Sequence, residues 1–246
     1  MTATKLQAQN SFFDSDNDFY DIEGFKSGKN SLKFIELNEL GDVKNKSLLQ
    51  LNCNFGLETL SWARLGAEVT GIDYNFKSIF LANLLSKTTD IPATFISTHI
   101  KDLSNYQIPP KDIVYTSYGA LLLVDDLELL ANQVSKILKP GGVFFVVEFH
   151  PILLTLNRNM NGFSVDDSGT EGRSGYFNNH SLSEIFTVLN QNGFNIVKFI
   201  EYPYSVYNSF PGMQQIGEDK WVFPSIKSNL PYMYSLKAVK KSNLEN

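Results

Sequence analysis

From Ser47 onward, short apolar runs alternate with longer stretches of helical periodicity, and this alternation confines the chain to few architectures. Antiparallel sheets need no helix between neighbouring strands; a parallel sheet needs a crossover each time, and so reads as strand, helix, strand. Leu48-Leu49-Gln50-Leu51 is the first such run and a helical pattern over 57–65 follows it. Glu68-Val69-Thr70-Gly71-Ile72 is the second, after which Asn75 is a cap for a helix that places Phe76, Ile79, Phe80 and Leu84 on one face. Ala93-Thr94-Phe95-Ile96 and Asp112-Ile113-Val114-Tyr115-Thr116 are the third and fourth. Asp125-Asp126 opens a helix with Leu127, Leu130, Val134 and Leu138 aligned, and Lys139-Pro140-Gly141-Gly142 stops it. Val143-Phe144-Phe145-Val146-Val147 is apolar at every position, as a strand covered on both faces must be. A helix over 182–190 and strands over 194–201 and 232–239 complete an α/β, doubly wound, mostly parallel seven-stranded sheet with helices on both faces.

The 246 residues suit one such domain rather than two, with 43% hydrophobic and 19% charged residues, enough to build a packed core. The domain proper is expected over 41–246, after an N-terminal lid or helical segment over 1–40. Insertions at about 152–180 and 203–230 exceed ordinary α/β connections, and the aromatic content of the second favours a lid. A net charge of −5 gives no reason to attract a phosphate backbone, so nucleic acid is not the expected partner. Cys53 is the sole cysteine, the opening residues lack the apolar stretch of a signal peptide, and no apolar run approaches the roughly 18 residues that cross a bilayer. A cytoplasmic protein without membrane partners is expected; the oligomeric state is not readable.

The chemistry is concentrated in one succession: strand, tight loop Asn52-Cys53-Asn54-Phe55-Gly56, helix, strand, then Asp73. In a doubly wound sheet the loop after the first strand lies at the switch point, where amides and a helix N-terminus meet a ligand. An acid ending the second strand meets a ribose diol, and the separation of 17 positions from Gly56 to Asp73 is near the ~20 of nucleoside-binding arrangements. Taken alone, Asp73 reads equally as a helix cap; the preceding loop favours the ribose.

Leu49-Gln50-Leu51-Asn52-Cys53-Asn54-Phe55-Gly56 resembles the first motif of class I S-adenosylmethionine-dependent methyltransferases, Gly71-Ile72-Asp73 resembles their second, and Leu138-Lys139-Pro140-Gly141-Gly142 their turn before strand five. The resemblance covers about 44–151 and implies S-adenosylmethionine as cofactor and an antiparallel final strand. The family has an acid at the position of Gln50 and glycines at those of Asn52 and Asn54; a variant subgroup replaces these glycines with polar residues, as here. Asn tolerates positive φ, so the loop can still turn, and Gln50 offers the methionine ammonium an amide oxygen without charge. The resemblance further places the backbone of Asn52, Cys53, Asn54 and Gly56 against the cofactor, Tyr74 beside the ribose, His99 (or Asp102) and the Ile100 amide at the adenine, Ser117 and Tyr118 on the methionine side, and Phe19 and Tyr20 in a lid.

Methyl transfer from a sulfonium needs alignment more than it needs a base. Where a base helps, His150 with Glu148 on the same face of strand five is the candidate pair; His150 before Pro151 reads equally as a strand terminator, and Glu148 as a partner for a buried polar group. The three histidines lack ligand spacing, so no metal is expected. Tyr202, Tyr204, Tyr207, Phe210, Trp221 and Phe223 form either an acceptor pocket or core over the sheet edge. The expected activity is in-line methyl transfer to a small-molecule acceptor. A binding protein that has lost catalysis is the alternative suggested by Gln50, Asn52 and Asn54; a nicotinamide-dependent oxidoreductase would require glycines this loop lacks.

Overall fold

The computed structural model describes residues 21–153, 178–226 and 230–242; Phe19 and Tyr20 lie outside the described residues, as does most of the 152–180 insertion. Two short helices, α1 (Ile22–Lys26) and α2 (Phe34–Leu40), precede the sheet. Strands β1 (Ser47–Leu51), β2 (Glu68–Asp73), β3 (Thr94–Ser97), β4 (Lys111–Ser117) and β5 (Leu138–Phe149) are parallel, linked by α3 (Leu57–Arg64), α4 (Phe76–Thr89), a 3-10 turn (Ile100–Asn105) and α5 (Leu127–Ile137). After α6 (Leu182–Gln191) come β6 (Phe194–Tyr202), a hairpin of β7 (Gln214–Gly217) and β8 (Lys220–Val222), and β9 (Met233–Lys240). The seven-stranded sheet has the order β3-β2-β1-β4-β5-β9-β6, and β9 runs antiparallel between β5 and β6.

Alternation along the strands splits the core in two. Leu48, Ile113, Tyr115, Phe145 and Val147 pack with Ile35 of α2 and Trp62 of α3 on one face. Leu49, Leu51, Val114, Phe144 and Val146 pack with Leu130 and Val134 of α5 and Ile185 and Leu189 of α6 on the other. Side-chain oxygens cap four helices: Asp21 accepts from the Gly24 amide, Asn75 from those of Lys77 and Ser78, Asp126 from Leu129, and Ser181 from Glu184.

Two local expectations change. In α4 the buried face is Ile79, Ala82 and Leu85, while Phe76 and Phe80 are 69% and 68% exposed and Leu84 is half exposed. Both stripes of this helix are apolar, so periodicity could not choose between them. Packing chose the one with the small residue, because Ala82 lets α4 approach Gly56, where an added Cβ would stand 3.1 Å from the Ala82 methyl. The Leu138-Lys139-Pro140-Gly141-Gly142 turn is also the beginning of β5, paired to Lys111 at Leu138 and resuming at Ile113 with Val143 across a bulge. Leu138, expected on the helix, is strand.

The order reverses between β1 and β4, so the loops leaving their carboxyl ends diverge and open a crevice, the position at which α/β sheets bind ligands.

Candidate active site

The crevice is an open cavity of about 820 Å³, walled by Gln50, the loop Asn52 to Gly56, Glu58, Asp73, Tyr74, Ser117 and Tyr118, with Ile22, Phe25 and Lys33 from the N-terminal helices and Tyr207 from the second insertion. The loop turns by alternating left-handed residues: Asn52 (φ 51°), Asn54 (φ 50°) and Gly56 (φ 78°). Asparagine fills the first two because its short polar side chain tolerates this region. Gly56 admits no side chain, since a Cβ there would meet the Phe95 ring at 2.6 Å. The Asn52 side chain donates to the Ala120 carbonyl (3.1 Å), joining the first loop to the one after β4.

Asp73 is buried and holds both shoulders of the crevice: its two oxygens accept from the amides of Asn54 and Asn75, each at 2.8 Å. Helix capping itself belongs to Asn75. Burial raises the Asp73 carboxyl above its ordinary value, and these amides oppose the rise. Each oxygen keeps a lone pair beyond its amide bond, enough for the hydroxyls of a diol. Tyr74 stacks on His99 with ring centroids 5.3 Å apart, and burial with the Asp73 charge pushes its phenol to about 12, so it stays a neutral donor. His99 and Ile100 do not line the cavity; His99 reaches it through the Tyr74 ring. Cys53 is buried, with its thiol pushed well up by desolvation.

Beyond β4, Tyr118 adopts φ 38°, a strained setting for an aromatic residue, and meets Tyr207 edge to face at 4.8 Å. Glu148 maintains this turn. Its Oε1 accepts from the amides of Gly119 (2.5 Å) and Phe149 (2.7 Å) and its Oε2 from that of Leu121 (3.0 Å). Desolvation pushes its carboxyl to about 7 despite those bonds. In His150, Nδ1 accepts from the Ile152 amide (3.2 Å), which leaves the proton on Nε2 to be donated to Glu201 (3.0 Å). Burial lowers its pKa and Glu201 opposes that. Neither Glu148 nor His150 lines the 820 Å³ cavity.

Two acids that the sequence did not single out complete the site, Glu58 in the wall and Glu36 behind it. Glu58, in the first turn of α3, accepts at Oε2 from Ser117 Oγ (2.5 Å), Gln50 Nε2 (2.7 Å) and the Tyr115 hydroxyl (3.4 Å). Glu36 of α2 is 0% exposed, accepts from the same Tyr115 hydroxyl at 3.2 Å, and burial followed by the Glu58 charge pushes it to about 8. Gln50 is engaged at both polar atoms, because its Oε1 also accepts from the Thr59 hydroxyl at 2.6 Å. An acid flanked by Ile35 and Leu40 in a helix was the available signal for Glu36.

The aromatic insertion divides between its two readings: Phe210 and Phe223 are core against Phe149 and Tyr232, while Tyr207 lines the cavity. Glu218 and Asp219 make the β7–β8 turn, and Asp219 binds Lys33 at 2.8 Å, fastening the hairpin to the N-terminal segment. Among the described residues no cluster of His, Cys, Asp or Glu could hold a metal ion and no helix is long and apolar enough to cross a membrane.

Residues 49–146 match the family model described as a methyltransferase domain. A ubiquinone biosynthesis O-methyltransferase of Proteus mirabilis is 32% identical over 145 residues, covering 57% of this chain and 56% of that protein. One of Chromobacterium violaceum is 29% identical over 166 residues, covering 67% and 66%. The chain thus spans between half and two thirds of the curated relatives it matches. Among solved structures, an S-adenosylmethionine dependent methyltransferase from Mesorhizobium loti superposes with a TM-score of 0.60 at 20% identity, covering 87% of this chain and 100% of that one. Magnesium protoporphyrin IX methyltransferase from Synechocystis, solved with bound SAH, gives 0.57 at 17% identity, with coverage of 97% and 100%. Sheet order and superposition agree that the chain adopts the class I methyltransferase fold, and over residues 49–146 it is similar to a methyltransferase domain.

Proposed function

We propose that this chain is an S-adenosylmethionine-dependent methyltransferase that moves a methyl group by in-line displacement onto a small-molecule acceptor. The observation that carries this reading is the convergence on one cavity of the left-handed Asn52 to Gly56 loop, buried Asp73 and the Ser117-Tyr118 turn. The residues fit the cofactor: Asp73 offers two anionic oxygens to a ribose diol, the loop Asn52 to Gly56 lines the cavity beside it, and Tyr74 gives the nucleoside an aromatic wall. When bound, S-adenosylmethionine supplies a methyl group made electrophilic by its sulfonium. The protein's task is then to align an acceptor and exclude water. Tyr118 and Tyr207 form an aromatic wall suited to a flat, partly apolar acceptor, and Ile22, Phe25 and Lys33 support a covering role for the N-terminal segment. A cavity that must hold cofactor and acceptor within about 820 Å³ leaves room for a small molecule, and the net charge of −5 argues against a nucleic acid. The relatives' O-methyltransferase names make oxygen acceptors the first to screen.

In this reading Glu148 and His150 are positioning residues: one sets the Tyr118 turn, the other fixes the end of β5 to Glu201. The test is calorimetric titration with S-adenosylmethionine and S-adenosylhomocysteine, with NAD as control. Micromolar binding of either, roughly −8 kcal/mol, lost in a folded Asp73→Ala variant, is expected. Native protein that binds neither would sink the proposal. Binding without turnover over a broad acceptor panel would leave a catalytically silent binding protein, the second reading, which the uncharged Gln50, already bonded to Glu58 and Thr59, favours.

A further inference from the structure

We propose that Glu58, rather than Gln50, is the anion that receives the ammonium group at the methionyl end of the cofactor, an assignment that rests on the cofactor reading above. A bound methionyl group brings a cation into the cavity, and a desolvated cation requires an anionic partner. Three acids line the cavity. Asp21 is at its exposed mouth, committed to Lys29 at 2.8 Å and to the Gly24 amide. Asp73 spends an oxygen on each of two loop amides. Glu58 differs from both: every hydrogen bond it accepts from the described residues falls on Oε2, and Oε1 accepts none while not being among the sealed, partnerless buried atoms.

The surroundings hold that carboxylate in one orientation and aim the free oxygen. Ser117 comes from the end of β4, Gln50 from the end of β1 and Tyr115 from the middle of β4, so Oε2 is fixed from two adjacent strands. Gln50 carries no charge to offer the ligand, and its two polar atoms already have partners: its amide nitrogen serves Glu58 and its oxygen accepts from Thr59. Behind Glu58, two neighbouring acids in a low dielectric cannot both ionise at neutral pH. Burial raises both carboxyls, but the more deeply buried Glu36, with Oε2 unpartnered, retains the proton, and Glu58, which accepts from Ser117 and Gln50 and shares the single Tyr115 hydroxyl proton, carries the charge. The nearby Lys33 ammonium is bound to Asp219 at 2.8 Å and lies over the Tyr207 ring, and so leaves the free Glu58 oxygen to the ligand.

The discriminating probe is a ligand pair. S-Adenosylhomocysteine and 5′-methylthioadenosine share the nucleoside and the thioether sulfur, but only the first has the amino-acid end. Calorimetry on native protein and Glu58→Gln is expected to show S-adenosylhomocysteine weakened roughly 10- to 100-fold and 5′-methylthioadenosine changed less than about twofold. The exchanged variant, Gln50→Glu with Glu58→Gln, returns a charge to the same corner. It is expected to recover at least tenfold of the loss, and it carries the test if the single variant fails to fold: native-like binding of 5′-methylthioadenosine with S-adenosylhomocysteine within tenfold of native supports the proposal. Equal loss of both ligands in Glu58→Gln would make Glu58 a support for the loop, and no loss of either would put the ammonium elsewhere; each overturns the assignment. Native protein that binds neither ligand overturns the cofactor reading and this assignment with it, whereas native binding with an indifferent Glu58→Gln overturns the assignment alone.

Discussion

Asn52 and Asn54 do at the first loop what glycine does elsewhere, and the backbone torsions give the reason: both sit near φ 50°, where an L-residue with an ordinary Cβ is strained. Asn52 also donates to Ala120, so two substitutions separate the contributions. Asn52→Gly and Asn52→Ala both lose that bond, but only alanine keeps the strain. Alanine should therefore be less stable than glycine by about 1 kcal/mol, measured by urea unfolding; equal stabilities would show that the torsion costs nothing here. This loop was legible in the sequence, because asparagine at alternate positions before Gly56 reports the same backbone need. Glu58 was not, since an acid in the first turn of a helix is ordinary for dipole reasons, and what distinguishes it is a contact with Ser117, 59 positions away. Glu148 and His150 were correctly seen to share a strand end, but hydrogen-bond partners, which sequence does not display, decide what their polar atoms do.

At the scale of the element, α4 is the most instructive. Its apolar residues surround it, and close approach at Ala82 selects the buried face. Phe80→Ser on the exposed face should leave stability within about 0.5 kcal/mol, whereas Ala82→Leu should cost about 1–3 kcal/mol by forcing α4 off the Gly56 loop; thermal unfolding checks both, and a tolerated Ala82→Leu would mean the helix sits more loosely than described. The turn after β4 depends in the same way on one buried side chain. Glu148→Gln replaces one of the accepting oxygens with a donor facing backbone N–H groups, so the amides of Gly119, Leu121 and Phe149 should exchange with deuterium faster than in native protein while those of α5 do not. Unchanged exchange would remove Glu148 as the clamp. Strand positions were readable throughout because the apolar runs are short and bounded; the β7–β8 hairpin was not, since its strands are three or four residues long with little buried surface to generate a pattern.

For the whole molecule, the buried acids fix the direction in which stability changes with pH. Glu36 is held at about 8 in the folded chain against an ordinary 4.5, so between those values the folded state keeps a proton that the unfolded state has released. Its contribution is complete below pH 4.5 and is lost as pH rises through about 8; Glu148, at about 7, acts in the same sense. Urea unfolding at pH 5, 6, 7 and 8 should show a shallower decline for Glu36→Gln than for native protein, and parallel declines would mean that Glu36 titrates normally. The sheet order has a separate consequence, for synthesis on the ribosome. β9 is made after β6 yet lies between β5 and β6, so until Met233–Lys240 emerges, β5 presents a bare apolar edge and β6 lacks its partner in the sheet. A nascent chain halted shortly before residue 233 therefore carries two open strand edges that any similar chain nearby can take up, and prompt emergence of β9 protects the protein from its own copies.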